Sequence, residues 1–323
     1  MIKTREKKMI ARIAALAATT FLLAAPALAA WPEKPIRVVV PFAAGGTSDQ
    51  MGRVFARAID ENKLLPQPIN VFNVTGHYSV GSRQIKDAAP DGHNFLLIHI
   101  ALMGGEASGV MDFGFRDFKG VATTGDFCLT PVVRNDSPYN SLKELLEAAK
   151  RAPDTIQFGV NIAAINHLAA LQIQQTTPGA SFRYVQIGGG AENFRALIGG
   201  HTQAGVLSSA EFVNFRGGGQ LKPLGYTGPV RHPGLPDIPT LKEQGYNIEF
   251  CVANWWFAPK ATPQPIVNAF ADALRKAQQT PYVQKELADR LFAPVFLAGP
   301  ELDKSLADTW KEIEPIAKMA TKK

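Results

Sequence analysis

The stretch that most constrains this chain is Arg37-Val38-Val39-Val40-Pro41-Phe42-Ala43-Ala44-Gly45-Gly46-Thr47-Ser48-Asp49, a short β-branched run that breaks at Pro41 and ends in a Gly-Gly turn. A helix is predicted immediately after it. Thr47 and Gln50 have capping-box spacing, and Met51, Val54, Phe55, Ala58 and Ile59 recur at i, i+3, i+4, i+7 and i+8, which is one apolar helical face. A strand, a glycine turn and a helix N-terminus in that order aim backbone N–H groups and the positive end of the helix dipole at one spot, with no glycine Cβ in the way. Such a junction suits an anion. Any strand-to-helix turn in an α/β protein has this local pattern too, so the junction alone leaves both readings open.

The chain has 323 residues, enough for about two domains. At 46% hydrophobic and 19% charged residues, neither disorder nor a fibrous class is indicated. Of the formal charge of +6, residues 1–29 carry +4, with Lys3, Arg5, Lys7, Lys8 and Arg12 against Glu6 alone. The rest carries only +2, with no basic stripe interleaved with aromatics, which argues against nucleic-acid binding. Those first residues read as a secretory signal peptide: a basic start, an apolar run from Ile10 to Leu28, and the small residues Ala27 and Ala29 flanking Leu28 for cleavage after Ala29. No Cys lies near that point, so the expected mature protein starts at Ala30 without a lipid anchor, in an oxidising exported compartment, the periplasm.

Strands are predicted at Ile69–Val74, at the continuous apolar run Asn94–His99, at Ile156–Val160, Phe182–Ile187, Gln203–Leu207 and Leu221–Tyr226. Helical patterns lie between them, at Val80–Ala89, after Ser141 with Glu144 three residues on, and at Ile165–Gln175, Ala191–Ile198 and Ala210–Phe215. Two long extended stretches, Val121–Val133 and Ile248–Pro259, bracket the second set, and helical patterns close the chain near 263–279, 281–291 and 300–318. The alternation argues for an α/β fold, and the brackets for two lobes joined by a double crossover.

Other chemistries lack their signatures. Gly188–Gly190 follows a strand and opens a helix, yet the sixth position of a dinucleotide fingerprint is Asn193. The six histidines show neither HExxH nor paired ligand spacing, so no metal or other cofactor is expected. Ser48 beside Asp49 is not set in a Gly-x-Ser-x-Gly elbow, which argues against a hydrolase, and Asp49 is read as a residue favoured by the helix dipole. His99 stands at the carboxyl end of a central strand, where ligands of open α/β sheets bind. Trp255 and Trp256 fall on opposite strand faces, so one enters a lobe core while the other is a candidate for the cleft.

Over nearly the whole mature chain the sequence resembles the substrate-binding proteins of tripartite tricarboxylate transporters, the Bug family. The resemblance is carried by Trp31-Pro32-Glu33-Lys34-Pro35-Ile36-Arg37 running into Val40 to Asp49, then Ala88-Ala89-Pro90-Asp91-Gly92, Phe115-Arg116-Asp117-Phe118, Ser141 to Leu145, His167-Leu168-Ala169, Leu197-Ile198-Gly199-Gly200, Leu235 to Thr240 and Phe257 to Pro263. It implies a type II-like periplasmic binding protein fold with a double-strand hinge, residues 30–129 and 252–323 forming one lobe and 130–251 the other. It also implies a monomeric, non-enzymatic receptor that closes on a small carboxylate and delivers it to membrane permease subunits. The alternative is docking on a membrane signalling partner. By resemblance the glycine turn, Ala44, Gly45, Gly46, Thr47 and Ser48, supplies N–H groups to a carboxylate, and the loop from Asn161 through Ala164 to Asn166 is the opposite jaw. Phe42, Asp49, His99, Gly189, Ser208 and Trp255 complete the candidate site. The chain departs from the family pattern at Gly159 to Asn166, at Leu171, and at Gln186 to Glu192, where a cation common in the family is missing. The only two cysteines, Cys128 and Cys251, fall one in each proposed crossover strand; a disulfide across the hinge and two buried free thiols are both open.

Overall fold

The computed structural model describes residues 31–321, so the proposed signal peptide and its cleavage point lie outside the described residues. The chain runs β1 (Ile36–Val40), α1 (Thr47–Glu61), β2 (Ile69–Asn73), α2 (Tyr78–Lys86), β3 (Asn94–Ile98), α3 (Ala101–Ala107), β4 (Phe118–Arg134) and α4 (Leu142–Arg151). It continues with β5 (Gln157–Val160), α5 (Ile165–Gln175), β6 (Arg183–Gln186), α6 (Gly190–Ile198), β7 (Ala204–Ser208), α7 (Ser209–Phe215) and β8 (Leu221–Pro223). It closes with β9 (Cys251–Pro259), α8 (Gln264–Gln278), α9 (Pro281–Asp289), β10 (Ala293–Leu297) and α10 (Pro300–Ala317).

The strand order is β2-β1-β3-β9-β4-β7-β5-β6, with β8 and β10 also pairing with β4. In the first lobe β1 is parallel to β2 and β3, and β9 lies antiparallel between β3 and β4. In the second, β5 is parallel to β6 and β7. Strand β4 serves both. Its residues Phe118 to Cys128 pair with β9, and Leu129 to Val133 pair with Ser208 to Ala204 of β7. This is the two-lobed α/β architecture of periplasmic binding proteins, with the lobes joined where β4 changes partner.

Local chemistry accounts for most elements. Leu142, Leu145, Leu146 and Ala149 place one face of α4 in the core, and the Ser141 hydroxyl accepts from the Glu144 N–H to cap it. Each such fully buried leucine contributes about 1.5–3 kcal/mol relative to exposure. Trp255 and Trp256 alternate across β9, and both sheet faces are covered. Trp256 packs against Phe55 of α1 and Phe270 of α8 and donates to Thr124 Oγ1 at 2.7 Å. Trp255, 1% exposed, shares a separate cavity with Ile313 and Ile316 of α10. The assignment of Trp255 to the cleft is therefore corrected: α10 covers the second face of β9.

Cys128 and Cys251 are directly opposite in the β4–β9 register and form a disulfide. It closes a loop of sequence separation 123 around the second lobe. On the chain-entropy account such a loop is worth up to about 5 kcal/mol. We expect thiol titration of denatured, unreduced protein to find no reactive thiol, and Cys128→Ala/Cys251→Ala to lower unfolding free energy by about 2–5 kcal/mol. Two titratable thiols per chain would contradict the bond.

Candidate functional site

Both lobes present residues to one cavity. The first lobe contributes Phe42, Ala43, Gly46, Thr47, Ser48 and His99; the second contributes Asn161, Ala164, Ile165, Asn166, Gly189 to Glu192, Val206, Ser208 and Glu211; Phe127 and Leu129 of β4 lie between. Among the described residues no lysine or arginine lines it.

The turn after β1 is more fully bonded than its sequence suggests. Gly45 has φ +84°, a conformation that favours glycine, and its N–H donates to Asp49 Oδ2 at 2.9 Å. Gly46 caps α1, and its N–H donates to Ala43 O at 3.3 Å. The Thr47 N–H donates to Glu211 Oε1 at 3.0 Å, across the lobes. The capping box read at Thr47 and Gln50 is thus corrected: Thr47 is the first helical residue, Gln50 Nε2 donates to Gly45 O, and a carboxylate from the other lobe meets the helix start. Asp49 and Gly45 brace the turn and Ala44 is exposed, so none of these three lines the cavity. Ser48 does line it; its hydroxyl donates to Asn254 Oδ1 at 2.9 Å, and its N–H meets no acceptor among the described residues.

The opposite jaw is held by Asn166, 4% exposed, whose Oδ1 accepts from the N–H groups of Asn161 and His167 and whose Nδ2 donates to Gly188 O at 3.1 Å. Ala163 is held at φ +61° while its N–H donates to His167 Nδ1 at 3.1 Å. This aims the N-terminus of α5 at the cavity, with the N–H groups of Ile165 and Asn166 meeting no acceptor among the described residues. Gly190 and Ala191 do the same at α6, beside Gly189, whose N–H donates to Glu192 Oε2. The lobes also meet outside the cavity: Tyr78 donates to Ile162 O at 3.1 Å, and Gly104 approaches so closely that a Cβ there would lie 2.0 Å from Ala163 O.

Ser208 and Glu211 form a reciprocal cap on α7. The Ser208 hydroxyl accepts from the Glu211 N–H, and the Ser208 N–H donates to Glu211 Oε2, both at 3.0 Å. Thr47 Oγ1 and Ser208 Oγ share a hydrogen bond of 2.6 Å across the lobes. Burial raises the pKa of Glu211 above its ordinary value, while the N–H groups of Ser208 and Thr47 pull it back. His99 stacks on Phe42 with ring centroids 4.7 Å apart, accepts from the Ala101 N–H, and is kept neutral by burial, its pKa lowered to about 3. Among the described residues no cluster of three His, Cys, Asp or Glu side chains is placed to hold a metal ion.

Of the residues singled out from sequence, the cavity brings together Phe42, Gly46, Thr47, Ser48, His99, Asn161, Ala164, Asn166, Gly189 and Ser208, and leaves out Ala44, Gly45, Asp49 and Trp255. Glu211, Glu192, Ile165, Phe127, Leu129 and Val206 were not singled out. The spacing Ser208-x-x-Glu211 is a visible capping box, which marks the helix start but not the reach of the glutamate to Thr47.

The family model described as tripartite tricarboxylate transporter family receptor matches residues 53–321. A Cupriavidus necator protein, described as UPF0065 protein in gbd 5'region, is 28% identical over 319 residues, covering 97% of each chain. The solved structure of the periplasmic binding protein BugD is similar at TM-score 0.82 and 26% identity, over 90% of this chain and 98% of that one. MatC from Rhodopseudomonas palustris with bound malate has TM-score 0.81 and 23% identity, over 90% of this chain and 100% of that one, a likeness of fold.

The buried imidazoles make stability depend on pH. His167, whose pKa burial lowers to about 4, takes up its proton in the unfolded chain near pH 6.5 but in the folded chain only near 4. Its contribution is complete above pH 6.5 and is lost as pH falls toward 4; His99 acts in the same sense down to about 3. Asp126, raised to about 6 by burial, has the opposite sign, its contribution being present at low pH and lost as pH rises through 6. Burial lowers four histidines, His77, His99, His167 and His232, and raises three carboxyls, Glu106, Asp126 and Glu211, so the net slope is a balance, and His167→Asn is expected to lower the slope of unfolding free energy against pH between 4 and 6.5 by up to about 1.4 kcal/mol per pH unit. Denaturant titrations across that range check it; an unchanged slope contradicts a neutral buried His167.

Proposed function

The chain belongs to the tripartite tricarboxylate transporter receptor family, and on that premise we propose that it captures a small carboxylate between its two lobes and delivers it to the membrane subunits of a transporter of that type. The observation that carries this reading is the convergence of first-turn N–H groups from α1, α5 and α6 on one inter-lobe cavity, at Ser48, at Ile165 and Asn166, and at Gly190 and Ala191. Such donors bind a carboxylate without needing a catalytic group. Hydrogen bonds to a charged group are worth about 1.5–3 kcal/mol each, so a few of them support roughly micromolar affinity, about −8 kcal/mol, after ordering costs. Malate bound in MatC supports a small organic acid as the class of solute.

In this reading the protein acts as a monomer in the periplasm, exported by the signal peptide of residues 1–29. Residues 30–129 and 252–323 make one lobe and 130–251 the other. Phe42, Gly46, Thr47, Ser48 and His99 face the solute from the first lobe, and Asn161, Ala164, Asn166, Gly189 and Ser208 from the second. It binds and releases rather than catalyses.

A thermal-shift screen of organic acids tests the assignment, since a solute at 100 times its Kd adds about 2.7 kcal/mol of stability. The hit is expected to shrink the radius of gyration in small-angle scattering as the lobes close. Gly104→Val pushes a side chain into the Ala163 carbonyl and is expected to weaken binding by more than about tenfold while the fold persists. A confirmed ligand with an unchanged scattering profile, and full affinity in the variant, would contradict capture by closure.

A further inference from the structure

The cavity already contains a carboxyl group that belongs to the protein. Glu211 is 5% exposed, and each of its carboxylate oxygens accepts one backbone N–H, Oε1 from Thr47 and Oε2 from Ser208. When ionised this carboxylate has about four acceptor positions, so a positively charged or N–H-bearing group beside it finds capacity for a further bond on each oxygen. The surrounding backbone is shaped to it: a Cβ at Gly190 would lie 1.9 Å from Oε2, so glycine is what lets α6 start beside this carboxylate. A second carboxylate, Glu192, also lines the cavity, half-buried, with Oε2 accepting from the Gly189 N–H. Against these stands no lysine or arginine among the described residues, and His99 contributes no positive charge.

A dicarboxylate seated here would set one of its anionic ends near Glu211 at a site where bulk water and salt screen little. A solute nitrogen bearing hydrogens would instead take up the spare acceptor capacity of Glu211, a charge-assisted bond in a buried setting. The first-turn N–H groups of Ile165 and Asn166 in α5 remain for a single carboxylate.

We propose that Glu211 is a specificity-determining residue that turns this receptor away from dicarboxylates and toward solutes with one carboxylate and an N–H or ammonium donor at the opposite end. The inference rests on the solute-receptor function proposed above and specifies the solute for the same cavity.

Calorimetry with length-matched pairs tests it: succinate against 4-aminobutyrate, through to adipate against 6-aminohexanoate, on the wild-type protein, Glu211→Gln and Glu211→Ala. The wild type is expected to bind the amino acid of the best-fitting pair at least about tenfold more tightly than its dicarboxylate, and either variant to shrink or invert that ratio by at least about tenfold. The wild-type ratio stands as evidence even where one variant fails to fold. A wild type that binds the dicarboxylate as tightly as the amino acid, or a ratio that neither variant moves, overturns the role of Glu211 and leaves solute capture standing. Binding of neither series by any of the three proteins overturns the receptor function, and this inference with it.

Discussion

Strand β4 is shared backbone: one continuous run of 17 residues hydrogen-bonds to β9 of the first lobe and, beyond Cys128, to β7 and β8 of the second. Each lobe can complete its sheet only through this strand, so their relative position is set by the bend and twist available to a few residues near Cys128 and Leu129. The disulfide to Cys251 ties the start of β9 to the same point. In the proposed closure, movement would centre on this short stretch, and the cavity lies directly beside it, with Phe127 and Leu129 of β4 in its lining. Motion there would separate the two jaws rather than disrupt either core.

The electrostatics of the cavity follow from how parallel strands are connected. Each β–α unit points the N-terminus of its helix toward the carboxyl ends of the strands, and the cleft is where those ends from both lobes face one another. The concentration of helix N-termini at α1, α5 and α6 would make the cavity favourable to anions whatever side chains lined it. The side chains then adjust that preference. Glu211 answers two of the N–H groups from within the chain, Glu192 answers that of Gly189, and the neutral His99 and the aromatic Phe42 add no charge. Backbone geometry thus provides a general attraction for negative charge, and one buried glutamate sets how much of it remains for a solute.

Much of this architecture is visible in the sequence because local forces determine it. The predicted helix at Ile165–Gln175 has the observed bounds of α5, and the junction from Val40 to Ser48 does form one jaw of the cavity. What local pattern does not encode is the partner of a group once the lobes dock. The Thr47 N–H meets a carboxylate 164 positions away, and Ser208-x-x-Glu211 satisfies its own helix cap so completely that nothing in the spacing hints at a second bond. Trp255 shows the same limit: period-two alternation correctly separates it from Trp256, but which sheet face lies under α10 is decided by the chain's last helix. Strand β10 and helix α3 passed unnoticed for another reason. The first is a partly exposed edge against β4 and the second only seven residues long, so neither carries an apolar period of its own.

The central claim is that solute is held between the lobes by first-turn N–H groups of three helices. Amide hydrogen exchange, followed with and without saturating solute, reads those groups directly. The account expects added protection at Ser48, Ile165, Asn166, Gly190 and Ala191, with a smaller gain at Ile162, whose carbonyl meets Tyr78 across the cleft. Bound solute with protection confined to residues outside the cavity, or with unchanged exchange at all of these amides, would contradict it.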